Sequence, residues 1–199
     1  MGCKARAQVR VDVRDDGSGS LLAAVVLDRE ALALLRGPLD EQLVVDDLRR
    51  AGWHIAFGRS GGGGAEVKAT REFVGSAGLA TAVRELAGSA GPLGASIEVE
   101  RGALRSRYRL RMTAKLDTSA VGVRGDEQLA QVLRDAGLDL GEIEGALAKR
   151  VRDGLELRLV ANVPGAGTVE RKVEQGGATQ LSVISAPWEW ERLAFGALA

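Results

Sequence analysis

One cysteine, one histidine and one tyrosine stand in 199 residues, and these scarcities exclude whole classes of chemistry. No disulfide can close within a chain that has a single thiol, and a His-rich or Cys-rich metal site is ruled out by number. A Cys/His nucleophile would have to join Cys3, at the extreme N-terminus, to His54 in a strand position beside Trp53. Carboxylates are plentiful, but they fall at helical and cross-strand positions where a solvated role is the default. No catalytic residue, metal or cofactor is expected, and the chain reads as non-catalytic. An excess of charge is missing as well. The 27 basic side chains balance 27 acidic ones, which argues against nucleic acid as a partner, since that affinity depends on phosphate neutralisation by surplus Lys and Arg. No charged and apolar signal segment stands ahead of Cys3. The apolar close of the chain, 193–199, is far short of the roughly 20 residues that span a bilayer. Gly61 to Gly64 do not make a phosphate loop, because Ala65-Glu66-Val67-Lys68 opens a strand where such a loop needs Gly-Lys-Ser/Thr opening a helix.

What is present is globular: 45% hydrophobic and 27% charged residues, in a chain long enough for one good core or two small ones. The longest strand signal runs over 105–117. Ser106, Tyr108, Leu110, Met112, Ala114 and Leu116 fall on one face, and Arg105, Arg107, Arg109, Arg111, Thr113 and Lys115 on the other. Alternate arginines would stand roughly 7 Å apart, so their repulsion must be offset. Glu98 and Glu100 on the preceding strand are placed to do it as cross-strand ion pairs on a solvated face. The other reading makes Arg105, Arg107, Arg109 and Arg111 a platform for a phosphate or an anionic lipid.

Around that strand the chain repeats two strands and a helical segment three times, followed by closing strands. Strands are expected over 7–13 and 21–27 about the Asp16-Gly17 turn, and the near-continuous apolar run of the second suggests that both its faces are covered. Short helices follow from Asp28 and over 39–51, then strands over 53–57 and 65–73, with Trp53, Ile55 and Phe57 on one face. A helix over 77–86, a hairpin about Gly102, and helices over 126–136 and 140–152 come next. Strands over 155–163, 168–174 and 179–185 close the pattern. Hairpins and long alternating strands predict an α+β fold, an antiparallel sheet built from hairpins with helices packed on one face. The expected division is a tether over 1–6, one domain over 7–185 and a juxtamembrane tail over 186–199.

Cys3 follows Gly2, the pair left when a bacterial lipoprotein signal is removed. Dual acylation of Met-Gly-Cys is a rival reading, weakened by Arg6 where Ser or Thr is usual, and an incidental thiol at a frayed end is a third. Trp188 and Trp190 in the tail would suit the headgroup level of a membrane if an apolar span followed, and a docked or frayed terminus equally well. Gly2-Cys3, the strand over 7–13 with Asp16-Gly17, Leu48-Arg49-Arg50-Ala51-Gly52-Trp53, Thr70-Arg71-Glu72-Phe73 and Val163-Pro164-Gly165 together resemble the LppM-type lipoproteins of actinobacteria. The chain departs from that pattern in longer helices over 126–152 and in a last strand, 179–185, without a tryptophan.

The resemblance implies a secreted domain at the outer face of the cytoplasmic membrane, in the cell envelope. Its anchor would be a lipidated (palmitoylated) Cys3, and a further C-terminal helix is possible. It also implies an apolar cavity between sheet and helices that takes an anionic lipid or glycolipid, with arginines at the mouth. The alternative is an interaction or assembly module of the envelope with no lipid ligand, whose protein partners the sequence does not name.

Overall fold

A computed structural model describes residues 4–33, 45–88, 91–102, 105–116 and 154–187. Cys3, the helices expected over 126–136 and 140–152, Trp188 and Trp190 lie outside the described residues.

The first hairpin follows from its sequence. β1 (Ala5–Val13) and β2 (Ser18–Leu27) pair antiparallel from Ala5 opposite Leu27 to Val13 opposite Gly19. Gly17 turns the chain at φ 77°, a conformation that costs a glycine nothing. A side chain at Gly17 would also meet Val99 Cγ2 at 3.1 Å. β1 begins at Ala5, two residues before the expected strand start. After β2 come α1 (Arg29–Ala33), where the Asp28 carboxylate accepts from the Ala31 amide at 2.7 Å, and α2 (Val45–Arg50). Next is a second hairpin of β3 (His54–Ser60) and β4 (Gly64–Val74) around a glycine turn. α3 (Gly75–Ala87) buries Leu79, Ala82 and Val83, at helical spacing. β5 (Leu93–Arg101) and β6 (Ser106–Lys115) form the third hairpin. β7 (Leu155–Val163), β8 (Gly167–Lys172) and β9 (Ala178–Ser185) complete the described strands.

The fold is α+β, but its strands divide between two sheets rather than forming one. A large sheet has the order β3-β4-β2-β1-β7-β8 and a small one the order β5-β6-β9. The expectation of purely antiparallel pairing also needs correction, because β1 and β7 run parallel, with Val9 opposite Leu159 and Val11 opposite Ala161. β1 has β2 on one side only, and β7 offers the other side a matching alternation of apolar residues. The two strands on either side of Gly176 and Gly177 belong to different sheets, β8 to the large one and β9 to the small. α3 packs against β2, β4 and β5. Among the described residues no helix is long and apolar enough to cross a membrane.

Both sheets turn apolar faces into one core: Val9, Val11, Leu21, Phe73, Leu159 and Val163 from the large sheet, Ile97, Tyr108, Leu110, Met112, Leu181 and Val183 from the small. At one end the sheets are bolted together. Tyr108 Oη donates to the Asp15 carbonyl at 2.8 Å, Ser185 Oγ donates to the Pro164 carbonyl at 2.6 Å, and Arg101 donates to the Asp16 carbonyl. Here Val11, Leu21, Ala161, Val163 and Tyr108 are almost wholly buried. At the opposite end, where β1 starts and β2 stops, Ala5, Ala7, Val25, Leu27, Leu93, Ala95 and Leu155 are only half-buried. The domain is thus a wedge, solid at the turn end and partly open at the other.

Candidate functional site

The arginine strand alternates without a break. From Ser106 to Lys115 every even position is buried and every odd one exposed, so the arginines point away from the core that Tyr108, Leu110 and Met112 fill. Arg109 Nη1 lies 3.2 Å from Glu100 and 3.5 Å from Glu98, and Arg107 Nη1 lies 3.5 Å from Glu100. Arg105 Nε donates to the Ala186 carbonyl at 3.2 Å. Arg111 stands opposite Ser96 and Ser182 and has no carboxylate partner among the described residues. Side chains this exposed contribute about 0–1 kcal/mol per ion pair, so the pairs neutralise the ladder more than they stabilise it. Ile184, opposite Arg109, is 70% exposed on the same face.

The open end of the wedge carries two neighbouring clefts. The first, about 620 Å³, is bounded by Pro92, Leu93, Ala114, Leu116 and Ala178, with Thr113 and Lys115 at its rim. The second, about 550 Å³, is bounded by Lys4, Arg6, Leu155, Glu156, Lys172 and Glu174. A bridge between Leu116 and Gln175 separates them, with the Gly176 amide donating to the Leu116 carbonyl at 3.2 Å. One cleft is therefore mainly apolar and its neighbour ringed with charge, an arrangement that suits an amphiphile. Glu156 is held below the usual carboxylate range, first by the hydrogen bond from Arg158 Nε at 2.5 Å and then by the charges of Arg158, Lys172 and Arg6. It is ionised at neutral pH and offsets part of the local positive charge.

No family model matches the chain, and no curated protein matches it. Among solved structures it is similar to the NMR structure of the folded domain of the Mycobacterium tuberculosis LppM protein. The two share 12% identity over 95% of this chain and 93% of that one, with a TM-score of 0.42. That protein belongs to the group that the sequence motifs resemble.

Sequence reasoning singled out the ladder face, Lys115 included, and passed over Lys4, Arg6 and Lys172, because only the sheet order gathers the start of β1 and the end of β8 near the end of β6. A third hollow, about 330 Å³, lies on the outer face of the large sheet over Leu22, Ala24 and Val26, walled by Arg6, Gln8, Glu66 and Lys68. β2 is therefore less covered than its apolar run predicts. Among the described residues, the stems of long neighbouring side chains shade that face. The described ends of the domain lie apart. Lys4 lines the charged cleft, whereas Ala186 and Pro187 follow β9 at the bolted end, about 30 Å away by the length of a nine-residue strand.

Proposed function

We propose that the chain is a non-catalytic lipoprotein-type domain of the cell envelope that binds an anionic lipid or glycolipid at the open end of its wedge. The acyl chain would enter the cleft bounded by Leu93, Ala114 and Leu116, and the headgroup would meet Lys4, Arg6 and Lys172 through charge-assisted hydrogen bonds. Arg111 and Lys115 are the ladder members nearest the apolar cleft, while Arg105, Arg107 and Arg109 lie towards the bolted end. The observation that carries the reading is the pair of adjoining clefts, one mainly apolar and one charged, beside the half-buried Leu93, Ala95 and Leu155. Acylation of Cys3 belongs to the same reading, at the outer face of the cytoplasmic membrane. It would set the anchor next to Lys4 and turn the clefts towards the bilayer.

Native mass spectrometry of the protein extracted with bacterial membrane lipids tests this. The expected result is an adduct of lipid mass that Leu93→Trp, which narrows the apolar cleft, removes. Recovery of lipid-free protein alone would sink the lipid reading and leave an interaction module, which the solid core at the bolted end favours. For the anchor, labelling with a clickable palmitate analogue should mark the chain and spare Cys3→Ser.

A further inference from the structure

Charge is compensated over most of the described sheet surface. Along the outer face of the large sheet Arg10 pairs with Asp12, Arg14 with Glu72, Lys68 with Glu66, and Arg158 with Glu156 and Glu170. On the outer face of the small sheet, the half towards the bolted end sets Arg107 and Arg109 against Glu98 and Glu100. The other half differs. Ser96, Arg111, Thr113, Lys115, Gln180 and Ser182 are all exposed there, in rows fixed by the strand pairing, and no carboxylate stands among them on β5, β6 or β9. Gln180 Nε2 donates to Ser182 Oγ at 2.8 Å, and Arg171 brings a third cation to the β9 edge by donating to the Gln180 carbonyl at 2.9 Å. The next carboxylate along the chain, Glu174, lines the charged cleft instead.

We propose that this half-face is a docking surface for the headgroups of an anionic bilayer, and that the domain leans onto its small sheet when its open end faces the membrane. Two features select that occupant. The short Ser and Thr side chains around Arg111 leave the strip flat, as contact with a plane of phosphates requires, and set hydroxyl donors beside the cations. Thr113 and Lys115 also form the rim of the apolar cleft of Leu93, Ala114 and Leu116, so cations and apolar groups follow each other in the order of phosphates and acyl chains in a leaflet. A soluble polyanion offers no apolar layer to match. Arg111 and Lys115 stand about 14 Å apart along the strand, more than the roughly 5–8 Å depth of one leaflet's headgroup zone. Both reach phosphates only if the strand lies oblique to the membrane, and the compensated pairs of Arg107 and Arg109 then lift away from it. The inference rests on the lipid reading only for which end of the domain faces the bilayer.

The test is co-sedimentation of the full chain, carrying Cys3→Ser so that no acyl anchor contributes, with vesicles of equimolar phosphatidylglycerol and phosphatidylcholine. Binding is expected there and not to phosphatidylcholine alone, and it should be lost in about 1 M salt, where the screening length is about 3 Å. At about fivefold per cation near an anionic surface, Arg111→Gln with Lys115→Gln should weaken it roughly twenty- to thirtyfold. The same change of charge at the bolted end, Arg14→Gln with Arg107→Gln, should weaken it less than about threefold. Leu93→Trp, which narrows the acyl cleft, should leave vesicle binding in place, so that the docking surface and the lipid site fail separately. A fluorophore on Ser182→Cys should be shielded from aqueous iodide by the vesicles, and one on Ala56→Cys, exposed on the outer face of the large sheet, should not. Equal binding to the two kinds of vesicle, equal loss in the two charge variants, or loss in Leu93→Trp would overturn the proposal. So would equal shielding at the two labels, or tighter binding to soluble polyphosphate than to the vesicles.

Discussion

Tyr108 is the residue on which the bolted end of the wedge depends most, and its two roles can be separated. The ring is 1% exposed in the core between the sheets, and its hydroxyl reaches 93 residues back to the Asp15 carbonyl at 2.8 Å. Tyr108→Phe keeps the ring and deletes the bond. Asp15 lies in an exposed turn, so water can replace the lost donor, and the cost should be that of a net hydrogen bond, about 0.5–1.5 kcal/mol. Tyr108→Ala deletes the ring as well and should cost about 3–5 kcal/mol, a large share of the roughly 5–15 kcal/mol that holds a domain folded. Urea unfolding of the full chain followed by tryptophan fluorescence gives both values, and the denaturant slope should stay unchanged. Amide exchange should quicken at Gly17 in Tyr108→Phe and not in the β3–β4 hairpin. If the alanine variant costs no more than the phenylalanine one, or the latter loses more than about 3 kcal/mol, then Tyr108 does not join the sheets as described.

Glu85 on α3 accepts from Trp53 Nε1 at 3.0 Å and pairs with the buried Nη1 of Arg71. Both charged side chains are about a quarter exposed, so Glu85→Ala should cost about 2–3 kcal/mol, below the full penalty for orphaning a buried charge. The double change Arg71→Met with Glu85→Leu should recover most of it in thermal unfolding. Asp16, held low chiefly by the Ser18 hydroxyl, and Glu156, held low chiefly by Arg158, titrate lower folded than unfolded. Their contribution is complete above the unfolded carboxylate value of about 4 and is lost as pH falls through the depressed folded values. Acid titrations of stability should be shallower in Asp16→Asn and Glu156→Gln, and unchanged curves would refute the linkage. A methyl group at Gly19 would sit 2.1 Å from the Asp12 carbonyl oxygen and 2.6 Å from Phe73 Cζ. Gly19→Ala should therefore destabilise by about 1–3 kcal/mol, whereas Gly61→Ala, which meets nothing within 4 Å, should leave the melting temperature in place.

Local pattern carried far in this chain. Alternation marked the two faces of β6 residue by residue, since successive side chains of a strand must point opposite ways. It also set Glu98 and Glu100 across from Arg109 and Arg107, because the hairpin about Gly102 leaves little freedom of register. For the site, the sequence made the arginines visible and left the clefts invisible. A run of like residues on one strand shows in a linear reading, whereas Lys4, Lys115 and Lys172 come together only once three strands have found their places.

The amino-acid order by itself determined the strands, their hairpin turns and the inward faces, all of which follow from period, turn chemistry and composition. Tertiary structure decided the rest: the parallel union of β1 with β7, the separation into two sheets, and the bolted and open ends. Strand alternation says which face seeks a core but not which neighbour will share it. That choice falls to contacts between residues distant in the chain, such as Val9 with Leu159 and Tyr108 with Asp15.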